Sequence, residues 1–120
     1  MVTCVFCGIA AGTEPATIVR EWVDSVAFTP LNPVCPGHVL VIPRAHVSDA
    51  LEDPMITGRT VARSAELALE GTCYDACNIL TSVGTAAAQS VFHLHVHLVP
   101  RYSGDQLMLP WGTTGHEPHN

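Results

Sequence analysis

Lysine is absent from this 120-residue chain, and its basic residues are five arginines, Arg20, Arg44, Arg59, Arg63 and Arg101. Eleven acidic residues oppose them, for a net charge of −6. Such a balance leaves no basic stripe to track a nucleic-acid backbone, so nucleic acid is excluded as a partner. A small anionic ligand would have to be held by backbone amides, hydroxyls and histidines. Charge is scarce in general, at 13% of residues against 48% hydrophobic, which suits a packed domain and argues against disorder. Long apolar runs are missing as well, so no membrane partner is expected, and "MVTCVFCGIAAG" carries no basic leader. The expected compartment is the cytoplasm. With no repeat, linker or low-complexity tract, the chain reads as a single domain.

What is present falls into short, well-punctuated segments. "TIVREW" and "SVAFTP" read as two strands with a turn around Trp22 to Asp24. "LNPVCPGH" is a loop, because Pro33, Pro36 and Gly37 interrupt regular structure. "HVLVIP", His38 to Pro43, is a strand whose continuous apolar character predicts burial on both faces. Ser48 to Gly71 reads as helical, with a fresh start at Pro54, Asp53 as N-cap and Gly71 as C-cap. "ACNILTSV" reads as a strand, "GTAAAQ" as a turn and "SVFHLHVHLVP" as a long strand. Strands, one principal helix and strands again predict an α+β fold with a mostly antiparallel sheet.

The last strand holds the most informative pattern. Of seven histidines, His93, His95 and His97 occupy alternate positions. Alternation puts all three on one face of a strand, roughly 6.5–7 Å apart, and puts Phe92, Leu94, Val96 and Leu98 on the other as a core face. A single strand histidine is ordinary packing or surface; three in register with a clean apolar counter-face indicate a site. Two chemistries suit it. An H-x-H pair can ligate a catalytic metal, or one imidazole can be a nucleophile while its neighbours manage protons.

Five cysteines include one C-x-x-C pair, Cys4 and Cys7. Metal binding or redox chemistry accounts for such a pair better than a structural disulfide does, and the βαβ setting of a thioredoxin-like motif is absent. Two small free apolar residues near a terminus are the bland alternative. Cys35, Cys73 and Cys77 read as buried thiols. His38, at a strand start, reads as a structural hydrogen-bonding residue, and His116 and His119 as exposed.

"HLHVHLV" matches the signature of the histidine triad (HIT) family, His-φ-His-φ-His-φ-φ with φ apolar, at every position. "CVFCGIAAGTEPATIVRE", "NPVCPGHVLVIPRAHVSD" and "QSVFHLHVHLVPR" also resemble bacterial HIT segments, in the same order and at similar spacing. The resemblance implies the HIT-like α+β fold: an antiparallel sheet of about five strands, one long helix, a short N-terminal helix and a homodimer. It implies a domain over residues 1–104 and a C-terminal tail over 105–120. The implied activity is that of a nucleotide hydrolase or transferase. His95 would attack the α-phosphorus of a nucleoside phosphoramidate or related nucleotide, and water would resolve the nucleotidyl-histidine. His97 would contact phosphate oxygens and, with Ser90, serve the leaving group. Gln89 would orient the phosphate, while Ser82, Leu31 and Asn32 would fall on the substrate side. Relatives with the cysteine pair imply structural zinc on Cys4, Cys7, His46 and His93, and no organic cofactor.

Two positions depart from the family. Pro30 stands where many members have an aspartate for the ribose hydroxyls, and Ser82 where many have an asparagine near the phosphate. A nucleotide-binding or interaction module with weak catalysis is therefore the alternative reading. The tail "RYSGDQLMLPWGTTGHEPHN" matches no part of the signature, and Trp111 is its most conspicuous residue, suited to closing a pocket or packing at an interface.

Overall fold

The computed structural model describes residues 4–71 and 76–109. Its elements are α1 (Val5–Ala11), β1 (Thr17–Glu21), β2 (Ser25–Thr29), β3 (Val39–Pro43), α2 (Pro54–Glu70), β4 (Ala76–Leu80), a single 3₁₀ turn (Thr85–Ala87) and β5 (Val96–Arg101). The five strands form one sheet in the order β1-β2-β3-β5-β4, and every neighbouring pair is antiparallel. This is the expected α+β fold. Cys73, Trp111, His116 and His119 lie outside the described residues.

The alternation of side chains across β2 and β3 builds two cores. Val26, Phe28, Leu40 and Ile42 face α1 and pack with Phe6 and Ile9. Ala27, Val39 and Val41 face the other way, joining Trp22 and Leu98 under Leu67 and Ala68 of α2. Both faces of β3 are covered, which is why its sequence is an unbroken apolar run. On β5, His97 pairs across to Leu40 on one side and Leu80 on the other, so it shares the α1 face, while Leu98 shares the α2 face.

The long helix begins later than the expected span. Asp53 caps it, accepting from the backbone N–H groups of Met55 and Ile56, with Pro54 in the first turn. Ser48 to Glu52 form a turn instead of helix. There Asp49 Oδ1 accepts from the amides of Leu51 and Glu52, and Glu52 accepts from Ser48, so side chains take the donors that a helix would use. Gly71 ends α2 without entering the left-handed region (φ −75°). The helix meets the sheet through small residues: Thr60 and Ser64 are fully buried, and their hydroxyls donate back to the carbonyls of Ile56 and Thr60.

Two strands are shorter than their sequence patterns. β4 stops at Leu80, before Val83. The predicted long strand from Ser90 begins only at Val96, so His93 and His95 precede β5. Continuing the β3–β5 register would set Leu94 opposite Pro43. Pro43 has no N–H to give, its carbonyl accepts from His93 Nε2 (2.8 Å), and the Leu94 amide donates to Val47 instead (2.7 Å). The ladder therefore ends where the histidines begin. Leu94, Val96 and Leu98 are buried as expected, but Phe92 is half exposed and does not belong to the core.

Candidate active site and metal centre

Hydrogen bonds fix which nitrogen of each triad ring carries the proton. His95 Nδ1 lies 2.8 Å from the carbonyl of His93, an acceptor only, so Nδ1 is the donor and Nε2 of the neutral ring keeps its lone pair. His38 Nδ1 accepts from the Val34 amide at 3.1 Å, which puts the proton on its Nε2. That nitrogen donates to His97 Nδ1 at 3.0 Å, and His97 Nε2 is then the free N–H. Among the described residues the result is an uncommitted lone pair on His95 beside an uncommitted donor on His97, with ring centroids 5.3 Å apart.

These rings sit in an apolar wall. Phe6 packs in a T-shaped arrangement on His95, with ring centroids 5.3 Å apart at 85°, and on His93 at 6.0 Å and 72°. Burial, aided by the neighbouring His95 and His38, lowers the pKa of His97 to about 4. Burial likewise lowers His38 and is the main cause of the lowering at His93. His97 is thus neutral near pH 7, in keeping with its tautomer.

His93 faces away from this pair. It is fully buried, and with Nε2 donating to Pro43 its Nδ1 lone pair points into a cluster of Cys4, Cys7 and His46. The separations are 3.4 Å to Cys4 Sγ, 3.6 Å to Cys7 Sγ and 3.2 Å to His46 Nδ1, with Cys7 Sγ 3.3 Å from His46 Nδ1. A tetrahedral ion with usual Zn–N and Zn–S bonds has ligand–ligand edges of about 3.3–3.8 Å. These four separations match or fall just short of such edges, all four donors lie within 4.8 Å of one another, and the Pro43 carbonyl orients the His93 ligand from behind. Burial, then the hydrogen bond and charge of Cys4, raise the Cys7 thiol, the direction expected when thiols crowd together without a cation.

The sequence pattern places other residues with mixed outcome. Gln89 is buried, and its amide is occupied by backbone: Oε1 accepts from Gly84, and Nε2 donates to Ser48 and Val91. These bonds make it the staple of the 84–91 loop. Ser90 is exposed beside it, and Leu31 and Asn32 are exposed in the β2–β3 loop, Leu31 at 98%. Ser82 lines a cleft of about 640 Å³ with Asn78, Leu80, Thr81, Ala87 and Leu109. His38, expected as a structural hydrogen bonder, is one, and its partner is the triad. Thr81, which carried no signal in the sequence, donates from Oγ1 to the His95 carbonyl at 2.7 Å. Phe6 carries a sequence signal of its own, its place inside the C-x-x-C pair. Cys35 and Cys77 are partly buried rather than fully so.

A model of the HIT domain matches residues 11–104. The chain belongs to the HIT domain family. Among solved structures, a protein of Streptococcus mutans superposes with TM-score 0.85 at 38% identity, over 98% of this chain and 76% of that one. A HIT family hydrolase from Clostridium thermocellum gives 0.78 at 32%, over 91% and 99%. A Zn-bound histidine triad family protein from Mycobacterium smegmatis gives 0.74 at 37%, over 88% and 79%. The order of the HIT segments along the chain thus corresponds to a shared three-dimensional arrangement. Among the described residues no helix is long and apolar enough to cross a membrane.

Proposed function

We propose that this HIT protein is a hydrolase or nucleotidyl transferase acting at the α-phosphate of a nucleoside phosphoramidate or related nucleotide. The observation that carries the reading is the His95 tautomer: Nδ1–H is held by the His93 carbonyl, leaving Nε2 as a nucleophile. Attack of Nε2 on phosphorus forms a P–N bond as the P–X bond to the leaving group breaks. Water then cleaves the P–N bond, giving the nucleoside monophosphate and free His95. His97 Nε2–H donates to a phosphate oxygen or to the departing atom, and Ser90 serves the same side. Gln89 holds the loop that carries Ser90, and Ser82, Asn32 and Leu31 belong to the substrate side. The hydrolase from Clostridium thermocellum supports this class of activity.

Zinc on Cys4, Cys7, His46 and His93 is the proposed cofactor, supported by the donor geometry and by the Zn-bound relative. Four protein ligands close the ion's coordination, so its contribution is to hold the N-terminal segment and His93 together. Using the H-x-H pair as a catalytic metal site is disfavoured, because His93 turns to the cysteines and His97 spends its Nδ1 lone pair on His38.

The proposed domain spans residues 1–104, with the tail from 105; the end of the family match at residue 104 supports that boundary. A homodimer is supported by β4, a sheet edge with Ile79 and Leu80 part exposed beside the Leu109 cleft. Ligand thiols that must stay reduced favour the cytoplasm. The second reading, binding with vestigial catalysis, rests on Pro30, whose side chain offers a ribose no hydrogen bond. The deciding experiment is intact-protein mass spectrometry after a brief, acid-free quench with an adenylate phosphoramidate, on the natural chain, His95→Ala and His97→Ala. An adduct mapping to His95 is expected. A folded protein with neither adduct nor turnover would leave the binding module.

A further inference from the structure

We infer that Phe6 is a positioning residue for His95, through which the Cys4/Cys7/His46/His93 cluster sets how the nucleophile is presented. The inference rests on the reading of His95 as nucleophile. Its physical basis is the way one short helix serves two neighbours.

Cys4 caps α1 and accepts from the Cys7 amide, so the first turn of the helix is shaped by the same two thiols that join the cluster. Phe6 lies between them in sequence and, at 8% exposure, turns inward. Its ring makes edge-to-face contacts with three others: Phe28 at 5.4 Å and 70°, His93 at 6.0 Å and 72°, and His95 at 5.3 Å and 85°. Edge-to-face packing is orientation-dependent, so these contacts restrict how the His95 ring can turn.

Among the described residues His95 otherwise meets the His97 ring (5.3 Å, 61°) and makes one ring hydrogen bond, to the His93 carbonyl; a hydrogen bond fixes one atom but leaves the ring free to tilt about it. Phe6 opposes that tilt. Both restraints originate at the cluster: His93 is one of its four donors, and Phe6 is carried by the helix that holds two more. Filling the cluster therefore aligns Nε2 without the ion touching any reacting atom. Misplacing a reacting group by about 1 Å costs up to roughly a hundredfold in rate.

The test uses the full chain, metal-loaded, as the natural protein and as Phe6→Leu, which keeps apolar volume but removes the ring. Metal content by native mass spectrometry and cooperative thermal unfolding report whether the variant is folded and loaded. The expected result is altered imidazole ¹⁵N and ¹H signals of His95, unaltered metal stoichiometry, and adduct formation at saturating phosphoramidate slowed by roughly ten- to a hundredfold. Unchanged His95 signals, or a change confined to KM, would overturn the proposal, the latter because it would make Phe6 only a substrate contact. Should Phe6→Leu fail to load, the natural chain decides. A Phe6–His95 nuclear Overhauser effect must be present with metal and must weaken as His95 signals broaden or shift on chelation; invariance of both overturns the idea. If the natural chain forms no adduct, the nucleotidyl-histidine reading fails, while the spectroscopic arm still judges the role of Phe6.

Discussion

His95 Nδ1 donates to the backbone carbonyl of His93 at 2.8 Å, so one triad residue sets the protonation pattern of the next. The bond works because it is made to the main chain, whose carbonyl cannot rotate away or change charge. His93 thus serves twice, offering its side chain to the cysteine cluster and its carbonyl to His95.

Replacing His95 by alanine removes the lone pair but little packing, since the ring is only partly buried. The expected outcome is loss of adduct and a fall in turnover of more than about a thousandfold, as for other nucleophiles in a multi-residue site. Thermal unfolding of this variant should stay close to that of the natural chain. A variant retaining a tenth or more of natural turnover would contradict the nucleophile assignment.

Acid should unfold the protein earlier than its carboxylates alone would dictate. His97 is neutral when folded, with a pKa of about 4 against an ordinary 6.5, so the unfolded chain binds the extra proton. A depressed histidine pKa contributes stability that is complete above about pH 6.5 and lost as pH falls toward 4. From His97 alone that loss is of the order of 3 kcal/mol. The lowered pKa values of His38 and His93 act in the same direction. Denaturant midpoints measured between pH 7.5 and 4.5 should fall steadily, and the slope should lessen in His97→Asn.

Chelation should lower the melting temperature by loosening α1, because Cys4 and Cys7 join it to His46 and His93. Cys7→Ser should melt early even with zinc supplied in excess. The same variant should still form some His95 adduct below its melting temperature, since the proposed mechanism gives no cluster atom a contact with phosphorus. Complete loss of chemistry in a folded, metal-free protein would instead demand a catalytic ion.

Gln89→Ala should be chiefly a stability mutant. Its side chain satisfies the Gly84 amide and the carbonyls of Ser48 and Val91, all of which the alanine variant would leave unpaired. An unsatisfied buried group costs about 1–3 kcal/mol and these three are partly buried, so a loss of about 1–3 kcal/mol in denaturant titration is expected. Loss of activity without loss of stability would show that Gln89 reaches the ligand directly.

Ala88 should be improvable. It sits in the left-handed region at φ 71°, next to Gln89, in a conformation that glycine adopts freely. Relief of that strain outweighs the added flexibility of the unfolded chain, so Ala88→Gly should stabilise by about 0.5–1 kcal/mol, read as a higher melting temperature.

Much of this arrangement was legible before the fold. The cap at Asp53 and Pro54 is local chemistry, and the apolar run of β3 follows from burial on two faces. Three alternating histidines and the C-x-x-C pair announced a site and a ligand cluster, and the HIT resemblance joined them. What the sequence by itself determined about this protein was thus its element types, its family and its candidate donors, because those depend on neighbours along the chain. Tertiary structure decided the rest. Strand β5 starts at Val96 because the ladder fails at Pro43, fifty-three residues away in sequence. The tautomers of His97 and His93 depend on His38 and on the Pro43 carbonyl, the duty of Gln89 on Gly84 and Ser48, and the contact of Phe6 on a helix at the opposite end of the domain. Periodicity says which face a side chain takes; only folding brings the atom that meets it there.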